Sequence, residues 1–117
     1  MLFHEFIVNG ITYKLRLTTR NVIALERKYG CSPLALFEDE QVPKLDVLAD
    51  IIHAAVQTYH HGLNLNDVYD IIDKWLEEGN NTTDLIYVVL ELFKVSGIIP
   101  KDINVKQTQE GNETEKN

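Results

Sequence analysis

Three histidines and a run of carboxylates are the residues of this chain whose types and spacing could do chemistry. His53 and His60 stand seven positions apart, with Gln57 between them and His61 adjoining. A helical metal site places ligands at i and i+3 or i+4 and draws another from elsewhere. That spacing is missing here, and no HExxH pairing occurs. Tyr59-His60-His61 ahead of Gly62 fits a helix end instead. There, imidazoles meet the last carbonyls and the negative end of the dipole, and a glycine takes the left-handed position. The second candidate chemistry is acid–base work by paired carboxylates among Asp67, Asp70, Asp73, Glu77 and Glu78. Such work needs carboxyl groups whose surroundings push their pKa values apart, usually in an apolar cleft. These acids fall on the polar side of an amphipathic helix, where Asp70 and Lys74 form an i,i+4 pair. Glu38, Asp39 and Glu40 lack the spacing and turn glycine of a calcium loop. No phosphate-cradling glycine loop and no nucleophile elbow is present. Cys31, the single cysteine, sits beside Gly30 and near Pro33 with no activating partner, and is expected to pack. The expectation is a non-enzyme with no catalytic residue, cofactor or metal.

The apolar faces then become the functional question. Leu65, Val68, Tyr69, Ile72, Trp75 and Leu76 recur at helical spacing, closed by Gly79. Asn64 can cap that helix, with Asp67 in its first turn. A later segment is apolar nearly all round, with Asp84, Tyr87, Glu91 and Lys94 as its narrow polar stripe. Such a helix is central to a core or covered by a partner. Tyr and Trp anchor interfaces more often than other residues. The expected partner-binding residues are Tyr69, Ile72, Trp75 and Leu76, with Leu85, Val89 and Phe93.

The elements that must position these residues are legible in order. Alternation over Phe3 to Val8, the turn dipeptide Asn9-Gly10 and alternation from Ile11 to Leu17 predict a β-hairpin. Ile11, Tyr13, Leu15 and Leu17 form its buried face, and Thr12, Lys14 and Arg16 its wet one. A lone hairpin is marginal, so it must lie on helices or pair through its edge with another chain. Thr18 and Thr19 start a helix with Val22, Ile23, Leu25 and Tyr29 as its stripe, and Gly30 ends it. Ser32-Pro33 opens a short helix over residues 33–37, and long helices are expected over residues 44–61, 66–78 and 84–96. Thr82 or Thr83 is the expected cap of the last, and Gly97 its end. The fold class is therefore α+β and mainly α, an N-terminal hairpin packed on four to five helices. One domain over residues 1–99 is expected, with a disordered polar tail over residues 100–117, too poor in apolar groups to offset the entropy of ordering.

Composition narrows the partners. The 117 residues carry a formal charge of −7, and the eleven basic residues are scattered. Nucleic acid and anionic membrane surfaces, which draw clustered Lys and Arg, are disfavoured. Neither a signal peptide nor an apolar run near the roughly 20 residues of a membrane span is present, so a soluble, cytoplasmic protein is expected.

One series of segments runs through most of the chain: Tyr13-Lys14-Leu15-Arg16-Leu17-Thr18-Thr19-Arg20, then Leu25-Glu26, Tyr29-Gly30 and Pro33-Leu34. Ile52-His53-Ala54-Ala55 and Tyr59-His60-His61-Gly62 follow, then Asp67-Val68-Tyr69-Asp70, Glu77-Glu78-Gly79 and Phe93-Lys94-Val95-Ser96-Gly97. Their order and spacing carry a resemblance, from Ile7 to Gly97, to the tail assembly chaperones of siphophages and prophages of Gram-positive bacteria. It implies a non-enzymatic protein that coats the tape measure protein before the tail tube polymerises, and that is absent from the mature virion. It also implies contacts with tail tube protein and a frameshifted longer form of the chain; the uncovered hairpin edge and the apolar helices add an expectation of self-association. Rival expectations are a structural tail or head-completion component and a small acidic regulatory protein.

Overall fold

Three of the four long helices begin with the same local device. Thr18, Asn64 and Asn81 each accept the backbone N–H of the residue three positions on, and the side chains of Asn21, Asp67 and Asp84 reach back to the cap's own N–H. Each box satisfies two of the donors a helix start leaves unpaired. A computed structural model of the chain describes residues 2–37 and 43–102. Glu38, Asp39 and Glu40, read as loop acids, lie outside the described residues, as does residues 103–117, the bulk of the expected tail.

The elements are β1 (His4–Val8), β2 (Ile11–Leu15), α1 (Thr19–Tyr29), a short 3-10 helix (Pro33–Phe37), α2 (Leu45–Val56), α3 (Leu65–Glu77) and α4 (Thr82–Val95). The fold is thus the expected hairpin on helices. Asn9 and Gly10 both have positive φ (52° and 77°), as a type I′ turn requires. The antiparallel register pairs Phe6 with Tyr13 and His4 with Leu15, which turns Phe6, Val8 and Leu15 into the core. Ile11 shares that face but overhangs at the turn and is 53% exposed, contrary to expectation. Leu17 is buried past the end of β2.

α4 packs on α2 and β1. Leu85, Val89, Leu92 and Phe93 have no exposed surface, and Phe37 meets the Phe93 ring edge-on at 5.4 Å. Its cap is Asn81, not Thr82 or Thr83, because Asn81 stands three positions before Asp84, the spacing at which the two side chains and backbone N–H groups bond reciprocally. α2 also ends earlier than residue 61. The Ala55 carbonyl accepts the Arg16 N–H at 3.2 Å, and Thr58 Oγ1 donates to the Arg16 carbonyl at 2.9 Å. The hairpin exit thus takes up the end of α2. Gly62 consequently stays out of the left-handed region, unlike Gly30. Leu17 N–H donates to Ser96 Oγ at 2.9 Å, tying the same exit to the end of α4.

Candidate functional site

α3 buries Val68, Ile71, Ile72 and Trp75 and leaves a second row, Tyr69 and Leu76, at the margin. α2 packs beside it, with its first residue Leu45 half exposed and Ala49 buried one turn on. Between the two helices runs an open groove of about 280 Å³, lined by Leu45, Ala49, Tyr69, Ile72 and Leu76. Asp46 and Asp73 stand on it as well, giving an apolar floor with acids at its rim. Small-molecule pockets typically span roughly 300–1,000 Å³ and enclose most of the ligand. This one is smaller and open, a shape that suits a few side chains projecting from another surface.

The structure brings Tyr69, Ile72 and Leu76 together and separates them from the other expected contact residues. Leu85, Val89 and Phe93 are wholly inside the core and offer a partner nothing. Trp75 is buried as well, its ring 5.3 Å from that of Phe6. Leu85, Val89 and Phe93 are corrections, because a helix apolar nearly all round was covered by its own domain; Trp75 is absent from this groove and fills the space beneath the hairpin. Tyr69, 41% exposed, is the residue of the stripe that faces outward. Leu45, Asp46 and Ala49 complete the groove from α2. Which helix lies against α3 is a property of the assembled fold, so the apolar pattern of α2 alone does not place Leu45 on this groove.

The histidines do not gather. His60 lies past the end of α2, so it shares no helical face with His53. Its Nε2 accepts the Lys14 N–H at 3.0 Å, and its ring lies 5.6 Å from Tyr13, so it covers part of the outer edge of β2. The expected role at a helix dipole is thus replaced by a tie to the hairpin. Among the described residues no group of three or more His, Cys, Asp or Glu is placed to hold a metal ion. Asp70 and Lys74 do not pair; the ion pairs among the described residues are Lys28–Asp50 and Lys94–Glu91.

The first of these belongs to a network that composition and spacing did not reveal. Asp50 Oδ2 accepts from Lys28 Nζ at 2.7 Å and from the Tyr29 hydroxyl, joining α2 to the last turn of α1. Burial pushes the Asp50 carboxyl up, but the bonds from Lys28 and Tyr29 and the Lys28 charge outweigh it, and its pKa lies below the ordinary 3.8. Burial and then the Asp50 bond push the Tyr29 hydroxyl well up. The available signal was a single acid in the otherwise apolar run Leu48-Ala49-Asp50-Ile51-Ile52. The network fastens two helices.

Residues 6–116 match the model of a family described as a family of unknown function (DUF6096). The chain belongs to that family. The match begins inside β1 and runs past α4, so both walls of the groove in this DUF6096 member lie within the family's shared unit. No curated protein and no solved structure matches the chain. Among the described residues no helix is long and apolar enough to cross a membrane.

Proposed function

We propose that this DUF6096 chain is a phage tail assembly chaperone, which binds amphipathic helices of a tape measure protein and keeps them soluble before the tail tube forms. One observation carries the reading: the α2–α3 groove, with Tyr69, Ile72 and Leu76 facing Leu45 and Ala49 between Asp46 and Asp73. An apolar groove between helices is the recurring receptor for the apolar face of another helix. Acids on the rim favour a helix whose polar face carries Lys or Arg, and a net charge of −7 keeps the complex dispersed. The resemblance to tail assembly chaperones supplies the identity of the partner.

Co-expression with the cognate tape measure protein tests this. The two are expected to co-purify, and a Tyr69→Ala, Asp73→Lys variant to lose capture while keeping its thermal midpoint. A tape measure protein that stays insoluble and does not co-purify sinks the reading. Mass spectrometry of purified particles is expected to find the chain absent; its presence favours a structural tail component.

A further inference from the structure

The hairpin has two outer edges, and the fold treats them differently. With Val8 paired to Ile11 across a two-residue turn, the N–H and C=O groups of residues 4, 6 and 8 point to β2, and those of Glu5 and Ile7 point away from it. On β2 the outward amides are largely taken: Lys14 donates to His60 Nε2, and Arg16, just beyond the strand, donates to the Ala55 carbonyl. On β1 the Asn9 N–H donates to Glu78, but no partner for the Glu5 and Ile7 amides is found among the described residues. Ile7 is 54% exposed beside them. A strand edge left this way is a template for another strand.

A groove of about 350 Å³ runs under this edge, lined by His4, Trp75, Asp84, Tyr87, Val88 and Glu91. It contains no Lys or Arg, whereas Asp84 and Glu91 lie on it and Glu5 and Glu78 flank the strand. We propose that the outer edge of β1 takes an extended, lysine- or arginine-bearing segment of a partner protein as a third strand. Glu5 and Ile7 supply the main-chain hydrogen bonds. Alternate side chains of the segment enter the groove over Trp75 and Val88, with basic ones meeting Asp84 and Glu91. That division, backbone for affinity and pockets for selectivity, is how strand addition recognises peptides. A second copy of the chain is the poorer occupant, since two chains of charge −7 would bring Glu5, Glu78, Asp84 and Glu91 of both to one seam. This surface is apart from the α2–α3 groove and stands whether or not that groove takes a helix.

The probe is a short blocked peptide alternating valine with lysine, compared with its glutamate counterpart, titrated into the full chain and followed by amide NMR. With the lysine peptide, exchange at Glu5 and Ile7 is expected to slow at least about tenfold, with shifts at the Trp75 indole. Ile7→Pro should abolish both effects, because that N–H points away from β2 and its loss leaves the ladder whole. Thr12→Pro, on the opposite edge, should bind as before. Glu91→Lys should weaken binding about twofold to fivefold without touching the backbone. If Ile7→Pro does not fold, the wild-type exchange and the Glu91→Lys titration decide alone. Unchanged exchange, equal binding of the glutamate peptide, or concentration-dependent protection of the Glu5 and Ile7 amides in the protein by itself would each overturn the proposal.

Discussion

Tyr29→Phe deletes one hydroxyl and keeps the ring against the core, so its effect isolates a single bond between α1 and α2. The hydroxyl donates to Asp50 Oδ2, which Lys28 Nζ also reaches at 2.7 Å. A hydrogen bond to a charged acceptor contributes about 1.5–3 kcal/mol. Two features pull this one to the low end or below it: Asp50 keeps its Lys28 partner, and its side chain is 15% exposed. A loss of about 1–1.5 kcal/mol is expected, worth roughly 4–8 °C per kcal/mol in a domain near this size. The assay is urea denaturation of the wild type, Tyr29→Phe, Asp50→Asn and the double variant. The coupling between the two positions should exceed about 0.5 kcal/mol. The dependence on pH has a definite sign. A carboxyl whose pKa is lowered by folding stabilises above its unfolded value and loses that contribution as the pH falls through the folded one. Because Asp50 is held below 3.8, the Tyr29→Phe penalty should be flat from pH 7 to about pH 5 and fade only below pH 3.8. A coupling within about 0.3 kcal/mol of zero, or a penalty that halves between pH 7 and about pH 5, would refute the network.

Burial lowers the pKa of His4 below 6.5, with Glu91 and Glu5 opposing it in part. The unfolded chain therefore binds the proton first, and stability should fall as the pH drops below 6.5; His4→Gln should flatten that slope in urea midpoints taken on either side of 6.5. Asn81→Ala should cost about 0.5–2 kcal/mol by loss of the α4 cap, whereas Thr82→Ala should stay within about 0.5 kcal/mol in the same denaturation assay. Phe93→Ala, at a fully buried site, should cost about 3–5 kcal/mol, and Tyr69→Ala at the groove margin should cost far less than that.

What was legible in the sequence is what short-range chemistry dictates. Asn9-Gly10 can form only a few kinds of turn, and the Asn64–Asp67 spacing writes a helix start within four residues. Period-two and period-3.6 patterns therefore recovered every element in order. The misses share a different cause. α2 stops at Val56 because Arg16, far away in the chain, takes the Ala55 carbonyl that a further helical turn would use. His60 reads as a helix-end residue until β2 is placed beside it. The groove could be only half seen: Tyr69, Ile72 and Leu76 announce an apolar stripe, but its opposite wall depends on which helix packs there. Trp75 and Phe93 were drawn into the expected contact surface for the same reason, since side-chain type does not tell inside from outside.

α2 differs from the other long helices in a way that bears on how the chain folds. Its first residue follows Lys44, which makes no capping bond, whereas α1, α3 and α4 each carry a reciprocal box. Yet α2 is the element that touches β2, α1, α3 and α4. An uncapped twelve-residue helix is too short to persist in water alone, so α2 is held by its packing against those four neighbours. As the common neighbour of β2 and the three capped helices, α2 joins them into one cooperative unit. Its amides should then exchange only through opening of the whole domain, and the α2–α3 groove should last as long as the domain stays folded.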